Sequence, residues 1–464
     1  MTSAEFGLLD PLDAGEDAGT AVGDPAWLQA MVDVEVALLR ALAHGQLVPE
    51  SAERVAAGIA HATDLDGAAI ALAARGGGNP VIPLVAQLGA RAETIEAGAS
   101  DLVHVGATSQ DILDSAAMLV ARRSITAIDT ALHELAGALA TLADLHRATP
   151  MAGRTLGQHA SPTSFGLVVA GWLDSVLDAR ARLETVGARL PISFGGSVGT
   201  LGVLTDIARL RRPDADPGQV VDRVLAEFAR RLGLRNPDLP WHTNRVPVVE
   251  LAAALAAVTG AVGTMAVDVG VLSRTEIAEV SERLGEGEGS SSAMPHKRNP
   301  VTAVLLVAAA RRAPGLVATV FAAQVAEDQR PSGAWHSEWE PLRELERIAL
   351  DASATAVSLA RRLEVDVARM RSNLELTDGL LFSERVSTIL AESIGKADAF
   401  ELVAAASREA VTTHRPLQVV VAARLASASD YVRARVWAAF DPDAGLGASG
   451  ALIDRVIARA KELA

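Results

Sequence analysis

Between Leu251 and Leu272, apolar residues recur in alternating steps of four and three: Leu251, Leu255, Val258, Val262, Met265, Val269 and Leu272. A seam with that spacing runs along one side of a long α-helix and calls for a second long helix to cover it. Gly260, Gly263 and Gly270 inside the run weaken it as an isolated helix but let a neighbour approach closely. The rest of the chain agrees with a helical reading. Half of it is hydrophobic but only 3% is aromatic, so the core is built from Ala, Leu and Val. Such side chains favour helices, whereas strands draw on aromatic residues and Thr. The expected class is all-α.

A shorter helix is marked at its start by Asp24-Pro25, an N-cap carboxylate with proline at the first helical position. Trp27, Met31, Val34, Leu38 and Leu42 then repeat by threes and fours until Gly45 ends the pattern. A chain of 464 residues exceeds one small core. The expected division is an N-terminal helical region (1–105), a central long-helix region (106–350) and a C-terminal helical region (351–464).

A net charge of −15 argues against nucleic acid, which asks for a basic stripe interleaved with aromatics. With no cysteine, a disulfide framework, a thiolate metal site and a cysteine nucleophile are excluded. The start, Met1 to Asp17, is acidic and has no basic n-region, so no secretory leader is expected. Apolar runs are expected to be interrupted short of a membrane span, as at Arg311-Arg312-Ala313-Pro314. The expected setting is cytoplasmic. An anionic substrate would have to find its cations gathered locally.

They are gathered in one segment. Gly285-Glu-Gly-Glu-Gly-Ser-Ser-Ser-Ala-Met-Pro-His-Lys-Arg-Asn-Pro300 opens with three alternating glycines and three serines, a backbone suited to a mobile lid. His296, Lys297 and Arg298 follow, and Asn299-Pro300 can start a helix. Cations beside a helix N-terminus read as an anion site. A second glycine-rich piece, Gly195-Gly-Ser-Val-Gly-Thr200, lacks the Gly-Lys-Ser/Thr ending of a phosphate loop and reads as a turn. No His-Glu-x-x-His or similar ligand set occurs, so neither a metal nor a cofactor is expected.

The loop resembles the signature of the fumarase/aspartase superfamily, in which a Gly-Ser-Ser-x-Met-Pro-x-Lys segment closes over the substrate. Aligned on Met294-Pro295, the resemblance puts the family's catalytic serine at Ser292, an alkoxide base acting on a proton alpha to a carboxylate. Lys297 and Asn299 match its substrate-binding and loop-stabilising positions. His104-Val-Gly-Ala-Thr-Ser-Gln-Asp111 resembles the first conserved block, in which Thr108 and Ser109, with Gln110 beside them, meet a substrate carboxylate. Gly153-Arg-Thr-Leu-Gly-Gln-His-Ala160 resembles the second. His104 by itself reads as a structural histidine. The blocks occur in family order across essentially the whole chain.

The second block departs from the usual Gly-Arg-Thr-His: Leu156 stands where most members carry histidine. Leucine cannot transfer a proton, which puts fumarase, argininosuccinate lyase and adenylosuccinate lyase readings in doubt. His159, three residues on, is similar to the histidine in the Leu-Gln-His-Ala form of the bacterial 3-carboxymuconate cycloisomerase subfamily, which Glu327-Asp-Gln-Arg330, Trp335 to Arg343, Met370 to Thr377, and His296 also resemble. The resemblance implies lactone closure of 3-carboxy-cis,cis-muconate in protocatechuate (β-ketoadipate) catabolism, with adenylosuccinate lyase as the alternative. It implies Ser292 and His159 as catalytic groups. Arg154, Lys297, Arg298 and Arg330 would be cations for a dianionic intermediate, with Thr108, Ser109 and Asn299 as donors. A small tricarboxylate is the expected partner, and the expected assembly is a homotetramer with sites shared between subunits.

Overall fold

A computed structural model of the chain describes residues 8–12, 18–285, 287–290, 293–294 and 296–463. Ser292, the expected base, Pro295 of the hinge and much of the acidic start lie outside the described residues. The fold is all-α, with two small antiparallel ribbons: β1 (Pro150–Thr155) with β2 (Gln158–Ser164), and β3 (Val280–Glu282) with β4 (Leu363–Val365).

Where the sequence suggests three consecutive regions, packing groups the chain into two interleaved units. The first comprises Met1–Ala131, Ala179–Gly260 and Ala308–Ala354; the second comprises Leu132–Asp178, Ala261–Val307 and Thr355–Ala464. Helices Ser109–Leu145, Phe165–Gly187, Val246–Leu272, Val301–Ala323 and Trp339–Arg362 each contribute a stretch to both units. Helices of that length carry the chain out of one unit before a turn is reached.

In the first unit, helix Asp24–His44 starts and stops as its signals indicate, with Pro25 in the first turn and Gly45 after the last. The cap falls one residue earlier than expected, on Gly23. It packs on helix Pro217–Leu232, where Asp216 caps the Gln219 N–H and Gly233 closes the end at φ 63°. In the second unit, Leu390, Val403, Leu417 and Val421 of the C-terminal helices form a core that also takes in Ala152 of β1. That contact anchors the β1–β2 hairpin.

The Leu251–Leu272 seam lies on the observed helix Val246–Leu272, and all its residues are buried within this one chain. The seam is thus covered without a second subunit. Two helices, Val246–Leu272 and Val301–Ala323, are long and apolar enough to cross a membrane. This corrects the expectation that every apolar run stops short: the second helix continues through Arg311, Arg312 and Pro314. The most apolar window of the first is 61% buried, as in a core helix, against 22% for the second.

Candidate active site

In the first unit, Thr108 precedes helix Ser109–Leu145, and Asp111 reaches back from its first turn to accept the Thr108 N–H at 2.9 Å. This is one half of a capping box. The Thr108 hydroxyl instead accepts from Arg330 Nη2 at 2.8 Å, while Arg330 Nε donates to Gln110 Oε1 at 3.1 Å. Gln110 is fully buried and also donates to Asp114 and to the His242 carbonyl, so it faces Arg330 rather than open space. Thr108, Ser109 and Arg330 are half-buried at the edge of this network.

Beneath them lie groups whose partners no local sequence motif marks. The buried carboxylate of Asp111 accepts from Gly195 N–H (2.8 Å), Gly196 N–H (3.0 Å) and His242 Nε2 (2.7 Å). It thereby ties the Gly195–Thr200 segment, a turn as expected, to Thr108. Arg245 is buried between Asp114 and Glu338, which hold its guanidinium firmly protonated against the effect of burial. His104 is structural: Nδ1 lies 2.6 Å from buried Glu35. Burial disfavours its charged form, but the hydrogen bond and charge of Glu35, with Asp111, hold it above the ordinary value. Glu35 was visible in the sequence as a lone carboxylate on the apolar side of its helix.

In the second unit, the second block forms the β1–β2 hairpin. Leu156 (φ 51°) and Gly157 (φ 79°) are its two central residues, and two positive φ values define a type I′ turn. Leu156 stands fully exposed at the tip. The ladder shifts register at Gly153, where a β-carbon would lie 2.5 Å from the Ser161 carbonyl oxygen. This bulge sets Arg154 opposite His159. Arg154 is locked on Glu279, Nη2 to Oε1 at 2.6 Å and Nη1 to Oε2 at 2.9 Å, and Glu279 is wholly buried. Burial and the Arg154 charge hold His159 below its ordinary value, with Glu279 opposing.

The lid segment belongs to the second unit as well. Gly289 O accepts from both N–H and Nδ2 of Asn299, at 3.1 and 3.2 Å, which closes the base of the loop. Gly289 sits at φ 62°, and a β-carbon there would meet the Asn299 carbonyl oxygen at 2.8 Å. Glu288 pairs with Arg362. The helix N-terminus expected to bind substrate is already occupied, since Glu282 accepts the N–H groups of Thr302 and Ala303 at 3.1 and 2.9 Å. Any anion site here therefore rests on His296, Lys297 and Arg298, all exposed and without side-chain partners among the described residues.

Residues 24–315 match the family described as Lyase. The chain belongs to that lyase family, within the fumarase/aspartase superfamily. A nitrosuccinate lyase of Streptomyces davaonensis is 45% identical, over 98% of this chain and 94% of its own. A 3-carboxy-cis,cis-muconate cycloisomerase of Bradyrhizobium diazoefficiens is 42% identical, over 98% of this chain and 99% of its own. The solved 3-carboxy-cis,cis-muconate lactonizing enzyme of Pseudomonas putida overlays with a TM-score of 0.87 at 36% identity, covering 98% of this chain and 99% of that one.

Proposed function

We propose that this chain is a cycloisomerase converting 3-carboxy-cis,cis-muconate to 4-carboxymuconolactone. A substrate carboxylate oxygen adds across the conjugated double bond, and the carbon alpha to another carboxylate takes up one proton. The difficult species is the dianionic aci-carboxylate between these events, and fixed cations and donors aimed at it supply the main stabilisation. Lys297, Arg298 and Arg330 are the cations, Thr108 and Ser109 the donors, and His296 a further contact. Asn299 secures the closed lid, Ser292 transfers the proton, and His159 meets a substrate carboxylate.

The observation that carries the reading is Leu156 where most members of the superfamily hold a histidine. In reverse the reaction expels a carboxylate, a weak base that leaves without a general acid. Relatives bearing the cycloisomerase name, and a solved structure bearing the name 3-carboxy-cis,cis-muconate lactonizing enzyme, each match nearly the full chain and support it.

A second reading has its own support in the 45% identical nitrosuccinate lyase. Nitrite is also a weakly basic leaving group, so Leu156 suits its elimination from a nitro-substituted succinate equally well. Purified protein assayed on 3-carboxymuconate, nitrosuccinate and adenylosuccinate side by side separates these readings. The highest kcat/KM is expected on 3-carboxymuconate. A higher value on nitrosuccinate, with nitrite and fumarate appearing together, would replace the assignment.

The working form is a homotetramer whose sites combine blocks from different subunits. The 22% burial of the most apolar window of helix Val301–Ala323 and the exposed Leu156 at its hairpin tip both support unfilled contacts between copies. A cytoplasmic setting goes with this reading.

A further inference from the structure

We infer that Arg154 serves the reaction through His159 rather than by holding the substrate: locked on Glu279, it keeps a second proton off the imidazole, which meets the substrate as a neutral hydrogen-bond donor. The inference rests on the proposed carboxylate-processing role of the hairpin.

Both Nη atoms of Arg154 are committed to a carboxylate that has no exposure, and Nη1 also reaches the Ala152 carbonyl at 3.3 Å. Asn373 Nδ2 donates to the same Glu279 oxygen as Arg154 Nη2, at 2.8 Å. A guanidinium held by three hydrogen bonds to two partners is fixed in place, and swinging it to a substrate would strand a buried carboxylate. The strand register puts His159 directly across from it.

The imidazole supplies the second observation. His159 Nδ1 is buried and has no hydrogen-bond partner among the described residues. An imidazolium carries N–H on both nitrogens, so charging this ring would bury an N–H with no acceptor, beside a fixed cation. A lone pair at Nδ1 is the cheaper arrangement. The proton of the neutral ring then sits on Nε2, where it can donate to a substrate carboxylate.

Other charged groups around the hairpin are engaged elsewhere. On helix Val367–Asn373, which packs on β1, Arg369 donates to the Ile277 and Glu276 carbonyls and Arg371 pairs with Asp443. Helix Leu380–Phe382, against β2, carries no charge, and the neighbouring Glu384 accepts from Ser161 at 3.0 Å. Among the described residues of the chain, Arg154 and Glu279 are left as the charges that act on His159.

The test is the pH dependence of His159 carbethoxylation by diethylpyrocarbonate, read by peptide mass spectrometry, alongside the pH profile of kcat/KM. Only neutral imidazole reacts, so the midpoint reports its protonation whatever the substrate. In the parent protein the midpoint should lie below the usual value of about 6.5. Arg154→Gln should raise it by about one unit and carry the acidic limb of kcat/KM with it. KM should stay within about threefold, because no substrate contact is lost. Arg154→Lys, which keeps the charge, should restore the low midpoint. If Arg154→Gln fails to fold, Arg154→Gln/Glu279→Gln removes the stranded carboxylate, and an upward shift is still expected. An unmoved midpoint in the variant that lacks the charge overturns the inference, the more firmly if KM rises tenfold. Failure of the parent protein to consume 3-carboxymuconate would overturn the substrate reading while leaving the midpoints to decide this one.

Discussion

Nε2 of His242 lies 2.7 Å from Oδ1 of Asp111, and both side chains are buried. Each oxygen of this carboxylate accepts two hydrogens: Oδ1 from His242 and Gly195, and Oδ2 from Thr108 and Gly196. The first conserved block and the glycine turn therefore hang on one acidic side chain. Asp111→Asn would point an amide group at two of these four donors, and a buried donor left unmet costs about 1–3 kcal/mol. A clear loss of thermal stability is expected in calorimetry, with KM rising more than kcat falls because Thr108 is displaced. Unchanged melting and unchanged KM would show that the network does not position the block.

Ser292→Ala should lower kcat by at least about a hundredfold with little change in KM, since proton transfer is made only in the transition state. Ser290 is exposed and its hydroxyl is bonded to the Gly287 carbonyl. Ser290→Ala should therefore be mild. Steady-state kinetics on both variants decide the matter, and a reversal of the two effects would shift the catalytic position within the loop.

Glu346 is completely buried, with Oε2 accepting from Ser124 and Oε1 unpartnered among the described residues. Burial pushes its carboxyl up to about 8, the Ser124 hydrogen bond opposing. In the unfolded chain the group ionises near the usual glutamate value of about 4.3. Its contribution to stability is therefore fully present below that pH and is lost as the pH climbs towards 8. Melting curves of Glu346→Gln should show the variant gaining on the parent protein between pH 5 and 8, because the amide cannot ionise. A constant difference across that range would mean that Glu346 is charged in the fold.

Sites shared between subunits imply that two dead variants can complement each other. Ser292→Ala and His159→Ala, unfolded together and refolded, should regain about a quarter of parental sites if each site takes one serine and one histidine from different chains. Each variant refolded alone should stay inactive. No recovery in the mixture, under conditions where the parent protein refolds well, would place both residues in one chain or remove His159 from catalysis.

How much of this was legible in the sequence follows from the range of each signal. The long helices, the Gly45 stop, the Gly195–Thr200 turn and the structural role of His104 rest on local patterns, and these appear in the fold. What local pattern could not reveal are partners brought together across the chain: Glu279 for Arg154 at a separation of 125 residues, and His242 for Asp111 at 131. Glu282 likewise fills the helix N-terminus that reads, from Asn299-Pro300 alone, as a free anion site. The period of the seam says only that another helix covers it. Which helix does so depends on tertiary packing, and here the cover comes from the same chain.

The central claim, ring closure coupled to protonation alpha to a carboxylate, is met most directly by running 3-carboxymuconate with the enzyme in deuterium oxide and analysing the product by mass and NMR spectrometry. The expected product is a lactone carrying a single solvent deuteron on the carbon alpha to a carboxylate, formed at a rate that Ser292→Ala abolishes. A lactone without that deuteron, or consumption of the substrate without any lactone, would contradict it.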